Sequence, residues 1–318
     1  MKEPMIWSYL IHLSTHISSD PSSPKHHLYA REYDENNNVS LEVWDEMMRF
    51  LAEKNYNMVI IDLGDAVKYE SHPEISAPDA CDKDFLKKKL DEMRALGLEP
   101  IPKLNFSNCH STWLKEYRRL VSTPIYYKVC SELIAEVCEL FESPRLFHLG
   151  LDEENLAMQS ALPLVTIRQH DLYWHDVNFL FAECEKHSAR PWIWADNFWD
   201  NPEAFAERMS RSVLQSNWYY HQINKVPKRE GNRIAIEAYA KLDALGFEQV
   251  PTVSTYYRAD GMNALHTLAH VKKNLHPELV KGFMTAPWFG TRPDFELALK
   301  NDAYMLLRAR KVFYPETL

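Results

Sequence analysis

Short apolar runs alternate with longer amphipathic stretches along this chain. Runs that read as strands fall at 6–13, 58–62, 99–104, 146–150, 191–195, 213–216, 249–255 and 282–286. Apolar positions recur with helical spacing at 41–54, 84–96, 124–140, 170–187, 202–209, 232–245, 262–275 and 294–312. Each strand is followed by a helix, the rhythm of βα units. Eight such units predict an α/β fold, a single (β/α)8 TIM barrel occupying residues 1–318. Punctuation agrees: Ser40 stands where a helix N-cap belongs, and Gly97 and Gly246 stand where helices should stop. The long connections at 14–40, 67–82 and 105–123 all follow strands, so they lie on the C-terminal face where barrel active sites form.

The fourth predicted strand ends abruptly in charge. Phe147-His148-Leu149-Gly150-Leu151 runs into Asp152-Glu153-Glu154. Burying three carboxylates at a strand end costs several kcal/mol unless they face a cleft, neutralise or find partners. An acidic helix start is the plain alternative, since carboxylates favour the positive end of a helix dipole. Position at a barrel mouth favours chemistry. Asp152 and Glu153 can divide labour, one as proton donor and one as orienting anion, and they are the candidate catalytic pair.

Composition changes the picture by exclusion. A net charge of −9 argues against nucleic acid or an anionic membrane as the main partner. The five cysteines are odd in number and lack a Cys-x-x-Cys, which suits reduced thiols. No leader pattern and no long apolar run is present, so the expected location is cytoplasmic, or periplasmic or secreted if a leader has been removed. Strands seven and eight end in Tyr256-Tyr257 and Pro287-Trp288-Phe289 rather than in glycines, which disfavours phosphorylated ligands.

Aromatic residues cluster at strand ends, and flat rings beside hydroxyls and carboxylates suit the C–H faces and polar rim of a sugar. Any single ring could instead be core. The candidate substrate contacts are Trp194, Trp218, Tyr256, Tyr257 and Trp288, with His12, Asp62, His110 and Asp196 as polar partners. No metal or other cofactor is expected: there is no His-Glu-x-x-His, and His12 and His16 lie on a strand-to-loop segment that does not put both rings on one face.

Glycoside hydrolysis fits a pocket of carboxylates and indoles. The common scheme needs two carboxyl groups flanking the scissile bond. Strand seven would supply the second, yet it ends Thr255-Tyr256-Tyr257-Arg258, with no carboxylate before Asp260. A substrate-assisted route remains, in which the sugar's own 2-acetamido oxygen attacks the anomeric carbon. Glu153 would protonate the leaving oxygen, Asp152 would orient the acetamido group, and Tyr256 or Tyr257 would hold its oxygen.

His148-Leu149-Gly150-Leu151-Asp152-Glu153 resembles the His-x-Gly-x-Asp-Glu signature of family 20 glycoside hydrolases, the β-N-acetylhexosaminidases. Lys54-Asn55-Tyr56-Asn57 leading to Asp62 and Asp65, then His72-Pro73-Glu74-Ile75-Ser76, Gly97-Leu98-Glu99-Pro100-Ile101-Pro102 and Cys109-His110-Ser111 resemble further segments of that family. The likeness covers roughly residues 41–200. It implies a barrel and a retaining, exo-acting, substrate-assisted hydrolase acting on an N-acetylhexosamine-type sugar. The departures are specific. The family's first-strand arginine is replaced by His12 and His16, an acidic residue on the third strand by Lys103, and the Trp-x-Glu of the last strand by Trp288-Phe289-Gly290. Two other readings stay open: a carbohydrate-binding barrel without turnover, and a metal-dependent sugar isomerase or hydrolase.

Overall fold

The computed structural model describes residues 4–16, 25–26, 31–32, 34–160, 164–223, 227, 229–256 and 261–318. Its principal strands are β1 (Ile6–His12), β2 (Met58–Asp62), β3 (Glu99–Lys103), β4 (Leu146–His148), β5 (Arg190–Trp194), β6 (Leu214–Ser216), β7 (Thr252–Val253) and β8 (Gly282–Thr285). They form one eight-stranded sheet in the order β6-β5-β4-β3-β2-β1-β8-β7, with every pairing parallel. Isolated bridges Gln215–Gln249 and Trp218–Thr252 join β6 to β7 and close the ring. The chain is a single (β/α)8 barrel.

The main helices are α1 (Leu41–Glu53), α2 (Lys83–Ala95), α3 (Pro124–Leu140), α4 (His170–Lys186), α5 (Pro202–Arg208), α6 (Glu230–Ala244), α7 (Met262–Asn274) and α8 (Glu296–Phe313). The Ser40 hydroxyl accepts a 3.3 Å hydrogen bond from the Val43 amide, capping α1 as its position suggested. Gly97 and Gly246 both sit at φ +80°, the left-handed stop that other residues resist.

Several strands end sooner than the apolar pattern implies. After β4 the backbone turns through positive φ at Gly150, Leu151 and Glu153 and leaves the ladder. In β7 the expected seven-residue run shrinks to two. Pro251 has no amide hydrogen to donate there, so Gln249 and Val250 pair only through single bridges and bonds.

The pleat sends alternate side chains inward. The lower barrel interior is apolar, built from Ile6, Leu10, Met58, Ile60, Ile101, Leu146, Leu214, Val250 and Met284 with Trp192. One step higher the interior turns polar: His12, Asp62, Lys103 and His148 stand in register across β1 to β4. That change of chemistry marks the floor of the mouth.

Candidate active site

The floor is built around one ion pair. Lys103 Nζ lies 2.5 Å from Asp62 Oδ2, and His12 Nδ1 stands 3.2 Å from the same oxygen. All three side chains are buried. Burial alone would raise the Asp62 carboxyl, but the Lys103 charge and His12 outweigh it and hold it well below the usual range. His148 sits beside them, its Nδ1 accepting a 3.1 Å hydrogen bond from the Gly150 amide. Its ring packs between Trp192 and Trp194, with centroids 5.2 and 4.6 Å away. Burial, reinforced by the nearby Lys103 charge, lowers its pKa to about 3, so it is a neutral imidazole at working pH.

The three consecutive acids after β4 meet three different fates. Gly150 makes the turn, because a Cβ there would lie 2.0 Å from Asn105 Oδ1. Asn105 fills that space, accepting from the Leu151 amide at 3.2 Å and donating to Asp152 Oδ1 at 2.8 Å. Ser107 donates its hydroxyl to the Asp152 carbonyl. Asp152 is thereby buried and fixed. Glu153 is half-buried and opens toward solvent, while its amide donates to Asp196 Oδ2 at 2.7 Å. Glu154 is a structural anion: Arg168 binds it through Nε at 2.9 Å and through a terminal nitrogen at 2.5 Å, and that guanidinium also reaches Asp176 and the Phe106 carbonyl.

His110 joins the two remaining acids. Its Nε2 lies 3.2 Å from both Asp152 Oδ2 and Glu153 Oε2. Burial disfavours the imidazolium, but Asp152 more than compensates, so His110 holds its proton well above the ordinary histidine range. For Asp152, burial acts upward and His110 with Lys103 acts downward, and the net effect is a lowered pKa. Asp196 goes the other way. Burial raises it, the negative Asp152 adds to the rise, and the hydrogen bonds from the Glu153 amide and from Trp218 Nε1 at 3.3 Å do not cancel it. Asp196 is therefore protonated where Asp152 is ionised.

The rings form one connected wall. Trp194 is buried, 5.8 Å from Trp288; Tyr220 stands 6.5 Å from Trp288 and stacks on Trp218 at 5.1 Å. Trp218 and Trp288 are half-buried. His12 lies 5.6 Å from Trp288, which joins the polar floor to the aromatic wall. Tyr256 is half-buried and packs on Phe289 at 6.2 Å, while Tyr257 lies outside the described residues. His16 belongs to a second cluster: its Nδ1 is 2.6 Å from Asp65 Oδ2, which Lys115 also reaches at 2.5 Å, tying the loops after β1, β2 and β3 together.

Sequence reasoning gave no role to three contributors. Lys103 left a signal, since a lysine on an inward strand position needs an acid across the ladder. Asn105 left one as well, being a polar residue at a strand end. Arg168 left none, because the fold alone brings it to Glu154, 14 residues away along the chain.

No protein-family model and no curated protein matches the sequence. Solved structures do match in three dimensions. A Flavobacterium johnsoniae chitobiase superimposes with TM-score 0.62 and 16% identity over 90% of this chain and 48% of its own. A Vibrio harveyi family 20 exo-β-N-acetylglucosaminidase, solved with N-acetylglucosamine, gives 0.61 and 12% over 98% of this chain and 57% of its own. Dispersin B gives 0.59 and 15% over 97% of this chain and 98% of its own. The chain carries the barrel fold of the family 20 glycoside hydrolases. It spans about half the length of the first two proteins and nearly all of dispersin B.

Proposed function

We propose that this chain is a family 20-type glycoside hydrolase, an exo-acting β-N-acetylhexosaminidase that retains configuration through substrate assistance. The observation that carries the proposal is the placement of Asp152 and Glu153 at the end of β4, one buried and fixed, one open to the mouth, both bridged by His110. The 2-acetamido oxygen attacks the anomeric carbon as the glycosidic bond breaks, and Glu153 gives its proton to the leaving oxygen. Asp152 accepts the acetamido N–H and stabilises the positive charge that forms. Water then opens the cyclic intermediate, giving a proton back to Glu153. The indoles of Trp218 and Trp288 offer stacking surface for the sugar.

A panel of nitrophenyl glycosides with and without the 2-acetamido group tests this directly. Turnover is expected only on acetamido sugars, with inhibition by a thiazoline mimic of the cyclised intermediate. Equal turnover on sugars lacking the group would overturn substrate assistance and turn attention to Asp196 as a second carboxyl. A carbohydrate-binding barrel without turnover is the second reading. The floor favours it, because Asp62 is already engaged by Lys103 and His12. Ligand binding with no hydrolysis across the panel would select it.

A further inference from the structure

We infer that Cys109, His110 and Glu153 form a binding site for a thiophilic divalent cation such as Zn²⁺, and that the occupied site switches the hydrolase off. The switch, though not the binding, rests on the function proposed above. One donor atom from each residue lies within 4.8 Å of the other two. One pair, His110 Nε2 and Glu153 Oε2, is 3.2 Å apart. Tetrahedral zinc with bonds of about 2.0–2.1 Å to nitrogen and oxygen sets its N and O ligands about 3.3 Å apart, and a thiolate at about 2.3 Å lies about 3.6 Å from either. The imidazole and carboxylate are already at that spacing, and the three donor atoms all lie within 4.8 Å of one another.

Two independent features point to a ligand here. Cys109 and His110 are both buried, and His110 Nε2 already faces carboxylate oxygens of Asp152 and Glu153 at 3.2 Å. The rim also holds more carboxyl groups than cations, with Asp152 and Glu153 against a single histidine and Asp196 joined to them through the Glu153 amide. A cation takes the place of protons in such a site: the thiol proton and the proton on His110 Nε2 leave to solvent as sulfur and nitrogen bind. Metal and transferable proton then compete for the same carboxylate. Zinc on Glu153 leaves no acid for the leaving group.

Cobalt(II) titration of the metal-stripped protein reads the site without any substrate. The expected result is one equivalent bound with a thiolate-to-cobalt charge-transfer band, lost in Cys109→Ala, and displacement of the cobalt by zinc. Magnesium should do neither. In parallel, zinc should inhibit aryl-glycoside turnover reversibly, with recovery on chelation. Each variant is compared with its own metal-free rate, and Cys109→Ser and Cys109→Ala should raise the inhibitory zinc concentration about tenfold or more. The native protein alone can overturn the site, by binding cobalt with no charge-transfer band. Equal zinc sensitivity in folded Cys109 variants would also overturn it. Turnover that requires zinc would overturn the inhibitory role. Absence of any turnover would count against the proposed function, while the cobalt spectrum would still decide the site.

Discussion

At the floor of the mouth, Asp62 meets a full cation, Lys103, and a histidine; at the rim, Asp152 and Glu153 share one histidine, and Asp196 has only hydrogen bonds from the Glu153 amide and Trp218. The two clusters lie on neighbouring strand ends of one barrel. The floor is balanced: its acid is held strongly ionised and its groups have little left to offer. The rim is not. Asp152 is pushed down and Asp196 is pushed up, so the second carboxyl keeps a proton that the first has lost. Environments that drive neighbouring carboxyls apart mark acid–base chemistry, and matched charges mark architecture. A buried charge that is fully paired holds a shape, whereas an underpaired one can move a proton or take a cation.

The sharpest attempt to break this contrast is at the rim. Glu153→Gln should cut turnover on poor leaving groups by roughly 10²–10⁴ while leaving the thermal melt near the parent. The loss should be smaller on nitrophenyl leaving groups, which need little protonation. Equal losses on both kinds of substrate would remove the acid role.

Acid titration of stability comes next, and it concerns the floor. His148 is neutral in the folded state, its pKa depressed to about 3 against an ordinary value near 6.5. Its contribution is fully present above pH 6.5 and is lost as pH falls from there toward 3, because only the unfolded chain then takes up the proton. The full window is worth about 4–5 kcal/mol. Denaturant melts across this range should show that slope, and His148→Asn should flatten it. An unchanged slope in the variant would mean that another group carries the acid sensitivity.

Lys103→Met should follow closely, costing about 3–5 kcal/mol of stability because it strands a buried Asp62 carboxylate. The double variant Lys103→Met with Asp62→Leu should recover most of that loss. If the single substitution leaves the melt unchanged, the floor is not a balanced structural pair and the contrast with the rim collapses.

Trp218→Ala should show the smallest effect, weakening sugar binding by roughly 1 kcal/mol through lost stacking. Its ring is half-buried against Tyr220 and also donates to Asp196, so binding should suffer more than folding. A large drop in melting temperature with unchanged affinity would assign the ring to the core.

The sequence by itself determined the architecture. All eight strands and their following helices were legible, because apolar periodicity reports which face of each element leaves water, and that is a local property. It also placed Asp152 and Glu153, since consecutive acids at a strand end have few structural uses. The tertiary structure decided what each acid became. Glu154 is neutralised by Arg168, Asp152 is fixed by Asn105 and His110, and Asp196 is left short of a cation. It also decided that Lys103, a departure from the family pattern, belongs to Asp62 rather than standing exposed to ligand. The state of an ionisable group depends on burial and on charges a few ångströms away, and those charges come from strands that sequence order keeps far apart.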